Sequence, residues 1–213
     1  MQIVLRGASA ATAASRASRL LCLATAHSPR SGTLLLATES DAASTNLHSA
    51  LLARGGWKEL PAPEAGTQLH LQGSCFLWKI AESFLHCDHL DERWRRGAPG
   101  NALPREMLFL SRHASASGRP CLTVHPIGVP SASVSAEQLA KSGGRAGRCV
   151  PPSPRIGHLY RRLRALKKGG GSVPPGFEVS LEATHHGPFA ETPSAFVEIG
   201  STEAEWSRAD AAE

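Results

Sequence analysis

Short, largely apolar runs that each end in His, Gly, Pro or a polar turn are what most constrain this chain. Thr33-Leu-Leu-Leu-Ala-Thr38, Met107–Leu110, Cys121–Val124, Phe177–Thr184 and Ala195–Ile199 all have this form. A strand buried on both faces reads as a continuous apolar run, and the turn beyond it presents polar groups at the edge of the sheet. The first run is followed by Ser44, which can cap a helix carrying Leu47, Ala50 and Leu51 and ended by Gly55-Gly56. A strand leading directly into a helix is the opening of an α/β unit, and the pattern predicts an α/β domain over residues 33–213.

Between these runs the reading is coarser. Residues 57–73 are expected to form loop. In Cys75–Cys87 the alternation of Phe76, Trp78 and Ile80 favours a strand that turns at Glu82-Ser83 into a hairpin, with a helix as the alternative. Ser131–Pro154 lacks periodicity and is expected to be a long, mobile, basic loop. Ser153 and Pro154 then open a helix in which Ile156, Leu159, Tyr160, Leu163 and Leu166 form one stripe. Residues 1–32 contain Arg6, Arg16, Arg19 and Arg30 and no acid, the composition of an organellar transit peptide on a disordered extension. The protein is therefore expected in the cytoplasm, or in a plastid or mitochondrion if that segment directs it there.

No apolar run approaches the roughly 20 residues that span a bilayer, which excludes a transmembrane helix and a membrane partner. The five cysteines are scattered without a CxxC pair, which argues against a disulfide framework and a zinc ribbon. Charge is unevenly spread. Between Glu137 and Glu178 the only charged residues are Lys141, Arg145, Arg148, Arg155, Arg161, Arg162, Arg164, Lys167 and Lys168. From Glu178 onward, acids dominate and Arg208 is the only Lys or Arg. A basic stretch beside an acidic one predicts a polyanion-facing surface next to a segment suited to metal or proton chemistry.

Two islands carry the candidate chemistry, Ser111–Pro130 and Glu182–Trp206. His113 and His125 lie at the ends of successive strands, where α/β sheets collect functional groups. A regular strand would put Glu182, Thr184 and His186 on one face and His185 on the other, although Gly187-Pro188 could swing the second histidine toward the first. With Glu182 and Glu198 at hand, the paired histidines form a plausible general-base or metal constellation. Arg112 and Arg119 are placed to meet phosphate.

The phrases SRHASASGRPCLTVHPIG and LEATHHGPFAETPSAFVEIGSTEAEW, with LLLATESDAASTNLHSALL and GRAGRCVPPSPRIG, resemble the archaeal and plant type of D-aminoacyl-tRNA deacylase. The resemblance runs from about Thr33 to the C-terminus. It implies hydrolysis of the ester between a D-amino acid and tRNA, with D-aminoacyl-tRNA as partner and Zn²⁺ as cofactor; a monomer is favoured, with the oligomeric state left open. It also implies a three-layer α/β fold with a mixed central sheet, phosphorylase- and peptidyl-tRNA hydrolase-like. Carried onto this sequence, it puts His113, His185, His186 and Glu182 in catalysis and His125, His186 and Glu198 at a metal. The charge pattern makes Arg112, Arg119, Arg145, Arg148, Arg161, Arg162, Arg164, Lys167 and Lys168 the candidates for tRNA binding. Such relatives continue past EIGST with a further Gly-rich, His-containing motif, so the resemblance implies a domain truncated at its C-terminus. The alternatives are a catalytically inactive tRNA-binding remnant and a peptidyl-tRNA hydrolase-like enzyme.

Overall fold

The computed structural model describes residues 32–99, 101–169 and 173–213. The expected extension over residues 1–32, with its transit peptide, thus lies outside the described residues but for Gly32. The expected opening unit is present: β1 (Thr33–Thr38) leads into α1 (Ala42–Ala53). The cap is Asp41 rather than Ser44, because the Asp41 carboxylate accepts the Ser44 N–H and satisfies a donor that the first helical turn leaves free.

The expected loop at 57–73 instead contains β2 (Lys58–Leu60) and β3 (Gln68–Gln72). Only Leu69 of these eight residues is fully buried, so neither strand shows the clean apolar alternation that would betray it. A tight turn at Gly73 pairs β3 antiparallel with β4 (Cys75–Ile80), so the hairpin forms before Cys75 and not after Ile80. Beyond β4 come a short 3₁₀ turn at Phe84–His86 and α2 (Leu90–Gly97). Trp94 of α2 packs edge-on to Phe76 and tilted against Trp78.

The remaining strands of the sheet are β5 (Glu106–Ala114), β6 (Cys121–His125), β9 (Glu178–Leu181) and β10 (Ser194–Ser201). The eight strands run in the order β2-β3-β4-β1-β5-β10-β6-β9, with β4, β1, β5 and β10 mutually parallel and β6 antiparallel to β10. This is a mixed central sheet in an α/β fold, as the sequence predicts. The segment expected to be a structureless loop contains β7 (Gly128–Val129), α3 (Ala136–Ser142) and β8 (Arg148–Cys149). Helix α3 buries no residue, so its only sequence signal is the capping box that Ser135 and Gln138 form. Helix α4 (Ile156–Lys168) forms as expected and carries the half-buried stripe of Leu159, Leu163 and Leu166. It is preceded by Arg155 rather than capped by Ser153, whose hydroxyl donates to Glu106 instead. Two short helices, α5 (Glu203–Trp206) and α6 (Ala209–Ala212), follow β10.

Strand parity divides the side chains between two cores. Leu34, Leu36, Phe76, Trp78, Met107, Phe109 and Phe196 face α2 and the 3₁₀ turn. Leu122, Ile199 and Phe177 face the layer containing α1, α4 and α6, with Leu47 and Leu163 packed against them. Two buried carboxylates fasten loops to this frame. Glu106 accepts from Thr33 and Ser153 and pairs with Arg155 at 2.6 Å, tying the base of α4 to β5. Asp91 accepts the backbone N–H groups of Glu191 and Thr192, holding the chain that enters β10.

Replacing Asp91 with Ala orphans the buried Thr192 N–H and the partly buried Glu191 N–H, at roughly 1–3 kcal/mol per unsatisfied buried group. Asp91→Ala is expected to lower the urea midpoint by an amount equivalent to about 3 kcal/mol with an unchanged slope. A variant within about 0.5 kcal/mol of wild type, the range of an ordinary surface substitution, would show that the clamp contributes little.

Candidate active site

The face of the sheet that carries Met107, Phe109 and Phe196 also carries Ser111, His113, Thr123, His125 and Glu198. Alternation along each strand puts them there: Glu198 lies beside Ser111 and Thr123 in register, Phe196 beside His125, and Gly200 beside His113. A cleft of about 300 Å³ opens above them, bounded on its far side by Thr38, Ser40, Asp41, Ser83, Phe84 and Leu85.

Glu198 is the centre. It is 3% exposed and accepts a hydrogen bond from the Thr123 hydroxyl at 3.0 Å. Oε2 of Glu198 lies 3.6 Å from His113 Nδ1 and 3.6 Å from His125 Nε2. Glu182, in the turn after β9, approaches the same imidazole, with Oε1 3.1 Å from His113 Nδ1. The approach is off the hydrogen-bonding direction, so Oε1 is buried without a donor. His113 can lean across β10 because its neighbour there is Gly200. A Cβ on that residue would meet His113 Cβ at 2.6 Å and Cδ2 at 2.8 Å.

His185 and His186 do not follow the alternation of a strand. The strand expected over Phe177–Thr184 ends at Leu181, and His186 takes a left-handed backbone with φ 48°. The two rings consequently meet, with centroids 4.4 Å apart, and both lie against His125, at 4.4 Å and 5.0 Å. The turn is held in that shape from behind. Gly187 donates to the Ser142 carbonyl and packs on Gly143 and Gly144 so closely that no Cβ fits, while Gly128 donates to the His186 carbonyl.

Each of the three histidines sets Nδ1 against a backbone carbonyl: His125 on Pro126 at 2.9 Å, His185 on Ala183 at 2.8 Å and His186 on Gly187 at 2.7 Å. A carbonyl can only accept, so Nδ1 carries the proton and Nε2 of the neutral ring keeps a lone pair. The ligand-type atoms of His125, His185 and His186 all lie within 4.8 Å of one another, as do those of His113, Glu182 and Glu198. His125 Nε2 is buried with no hydrogen-bond partner. An imidazole fixed through Nδ1 with a free Nε2 is the usual state of a zinc-ligating histidine, so this nitrogen set fits Zn²⁺. The grouping differs from the expected set of His125, His186 and Glu198: His185 completes the nitrogen triad, while Glu198 joins His113 and Glu182.

The charges follow the geometry. Hydrogen bonding to Glu198 raises the His113 pKa, with Glu182 adding to it against the cost of burial. Burial is the largest influence on His125 and lowers its pKa, but Glu198 outweighs it and the net shift is upward. Burial pushes His186 down to about 4, so it is neutral at pH 7. Burial likewise opposes ionisation of Glu198, yet His113 and His125 together hold it well below the usual carboxylate range.

The expected basic residues divide. Arg112 is exposed at the lip of the cleft, its guanidinium 4.9 Å from the Trp206 ring. Arg145 pairs with Asp88 at 3.0 Å, and Arg145 and Arg148 both lie over the Phe189 ring. Arg119 is exposed, 3.7 Å from Glu178. Arg161, Arg162, Arg164, Lys167 and Lys168 are exposed on α4, the layer behind the sheet. The sequence reading missed Asp41, whose Oδ2 accepts from the Ser111 hydroxyl and the Arg112 N–H and so joins α1 to the end of β5. Its signal was the capping pattern Asp41-x-x-Ser44. Gly200 was missed as well, and nothing in a single sequence marks it.

A family model described as D-aminoacyl-tRNA deacylase matches residues 101–213, more than half the chain. The chain belongs to that family. It is 42% identical over 181 residues to a D-aminoacyl-tRNA deacylase of Arabidopsis thaliana, an alignment covering 85% of this chain and 56% of the relative. With the deacylase of Archaeoglobus fulgidus it shares 35% over 181 residues, 84% of this chain and 59% of that one. The chain thus spans somewhat more than half the length of these relatives. A crystal structure of a conserved protein of unknown function superimposes with TM-score 0.69 at 32% identity, covering 86% of this chain and 60% of the other. Every candidate histidine and glutamate of the two islands lies inside the matched span.

Two consequences can be measured. Glu198→Gln removes the main cause of the raised His113 pKa, so His113 should titrate at lower pH in that variant, read by NMR of its ring protons. The linkage has a definite sign. The raised His113 contributes stability that is complete below pH about 6.5 and is lost as pH rises through its folded pKa, whereas the depressed Glu198 contributes stability that is complete above about 4.5 and lost below it. The His113–Glu198 contribution should therefore peak between pH about 4.5 and 6.5. A double-mutant cycle with no pH dependence across that window would contradict it.

Proposed function

We propose that the protein hydrolyses the ester joining a D-amino acid to tRNA, releasing the free amino acid and tRNA. The observation that carries this reading is the clustering of His125, His185 and His186 beside an imidazole held between two carboxylates, in a chain of the deacylase family. Ester hydrolysis needs an activated water and a group to take charge from the departing oxygen. His125, His185 and His186 would hold Zn²⁺ through Nε2. When bound there, it supplies a water of pKa near 7 (roughly 7 against 15.7 in bulk).

The chain's own groups do the rest. Glu182, with Oε1 unpartnered and facing the cleft cluster, accepts the proton that water loses as its oxygen bonds to the ester carbonyl carbon. His113, whose pKa Glu198 raises, donates a proton to the ribose oxygen as the carbon–oxygen bond breaks. Arg112 at the lip, backed by Trp206, contributes positive charge where the RNA enters. The basic residues Arg119, Arg145 and Arg148 supply the wider field that attracts a polyanion. A phosphorylase- and peptidyl-tRNA hydrolase-like architecture, implied by the resemblance, is part of the same proposal.

The test is release of D-tyrosine from D-tyrosyl-tRNA beside the L form, with and without chelator. D-selective turnover abolished by chelator and restored by Zn²⁺ supports the reading. Equal, chelator-insensitive release of both isomers contradicts it, and salt-sensitive tRNA binding without any turnover would favour an inactive tRNA-binding protein. His113→Ala should lower kcat about 10²–10⁴-fold, the ordinary range for a general acid, with KM little changed.

A further inference from the structure

The site face of the sheet carries a basic rim that is separate from the more conspicuous basic helix. Helix α4 seats Leu163 against Leu122 and Ile199. Leu122 and Ile199 are the sequence neighbours of Thr123 and Glu198, so strand alternation points them to the opposite side of the sheet. Helix α4 therefore lies on the opposite side of the sheet from the cleft. The segment from α3 to β8 is different. Ser142, Gly143 and Gly144 pack directly on Gly187, and β7 and β8 pair beside the turn that holds His185 and His186. Gly143 is itself wedged against the carbonyl of Leu85, a residue of the cleft wall, at a spacing that excludes any side chain.

Phe189, three residues beyond His186, is buried, and Arg145 and Arg148 lie over its ring at 4.7 Å and 5.3 Å. The two guanidinium groups are not equivalent. Arg145 is neutralised by Asp88 and contacts His89. Arg148 is exposed and, among the described residues, has no carboxylate partner and no side-chain hydrogen bond. A guanidinium oriented by an aromatic face with its donors free has the form of a phosphate contact.

We propose that the acceptor end of the RNA lies along the α3–β8 rim, with Arg148 contacting the phosphate backbone next to the reacting ester, and that α4 does not bind it. This rests on the deacylase reading and names the surface that reading requires. One neutralised phosphate adds about 0.9 to the slope of log affinity against log salt.

The experiment is fluorescence anisotropy of a labelled acceptor-stem RNA hairpin ending in a single-stranded 3′ tail, titrated with the full chain at several salt concentrations. Arg148→Ala is expected to weaken binding about tenfold and reduce the salt slope by about one, with an unchanged thermal midpoint. Arg161→Ala/Lys168→Ala on α4 is expected to stay within about twofold of wild type, a difference below 0.5 kcal/mol. Loss of binding in the α4 variant with Arg148→Ala unaffected would overturn the proposal, as would equal loss in both or the absence of salt-dependent binding by wild type. Turnover of D-aminoacyl-tRNA by the same preparations reports separately on the catalytic reading: binding that maps to Arg148 without turnover overturns only that reading, and turnover with binding that maps to α4 overturns only this one.

Discussion

A carboxylate buried in the middle of a β-sheet costs several kcal/mol in lost solvation unless partners repay it, and Glu198 is such a group. Thr123 donates to it from one neighbouring strand, His125 approaches from the end of that same strand, and His113 leans over from the other neighbour. The order of strands β5, β10 and β6 thus brings these side chains around one buried charge. Once His113 and His125 are drawn to Glu198, the rest of the cluster has a fixed frame. His125 supplies the surface on which His185 and His186 rest, and Phe196 backs His125 with a ring stacked at 5.2 Å.

The second requirement is backbone without side chains at three places of close approach. Gly200 leaves room for His113, Gly187 for the α3–β8 segment, and Gly143 for the 3₁₀ turn. At Gly143 the φ of 63° adds a conformational demand to the steric one. These contacts join the two islands to elements far from them in sequence. Asp91 and Asp88 reinforce the same junction by holding the chain from Phe189 to Thr192. His186 itself keeps a left-handed backbone, a conformation that costs on the order of 1 kcal/mol or more and persists where its surroundings fix it.

The strands at the centre of the sheet were legible in the sequence because burial on both faces makes their composition one-sided. β1, β5, β6 and β10 all stand where their apolar runs put them. The outer strands β2 and β3 and helix α3 were not legible, since they bury almost nothing and owe their form to pairing or capping rather than to periodicity. The six histidines and glutamates of the site were all visible as candidates, but their grouping was not. Strand alternation would separate His185 from His186, and only the left-handed residue at 186 brings them together. The role of Gly200 was equally hidden, because it depends on which residue lies beside it in a parallel pairing. Asp41 was read past because a capping residue looks local, whereas its second oxygen reaches Ser111, seventy residues away in sequence.

What the account most needs is the protonation of three imidazoles, since the site's chemistry depends on which nitrogen of each ring is free. Long-range proton–nitrogen NMR correlation of the metal-free protein at pH 8 reads the tautomer of each histidine directly. The geometry predicts His125, His185 and His186 in the Nδ1–H form, with Nε2 deprotonated. Finding any two of them in the Nε2–H form would contradict it, because the three nitrogens could not then serve as one ligand set.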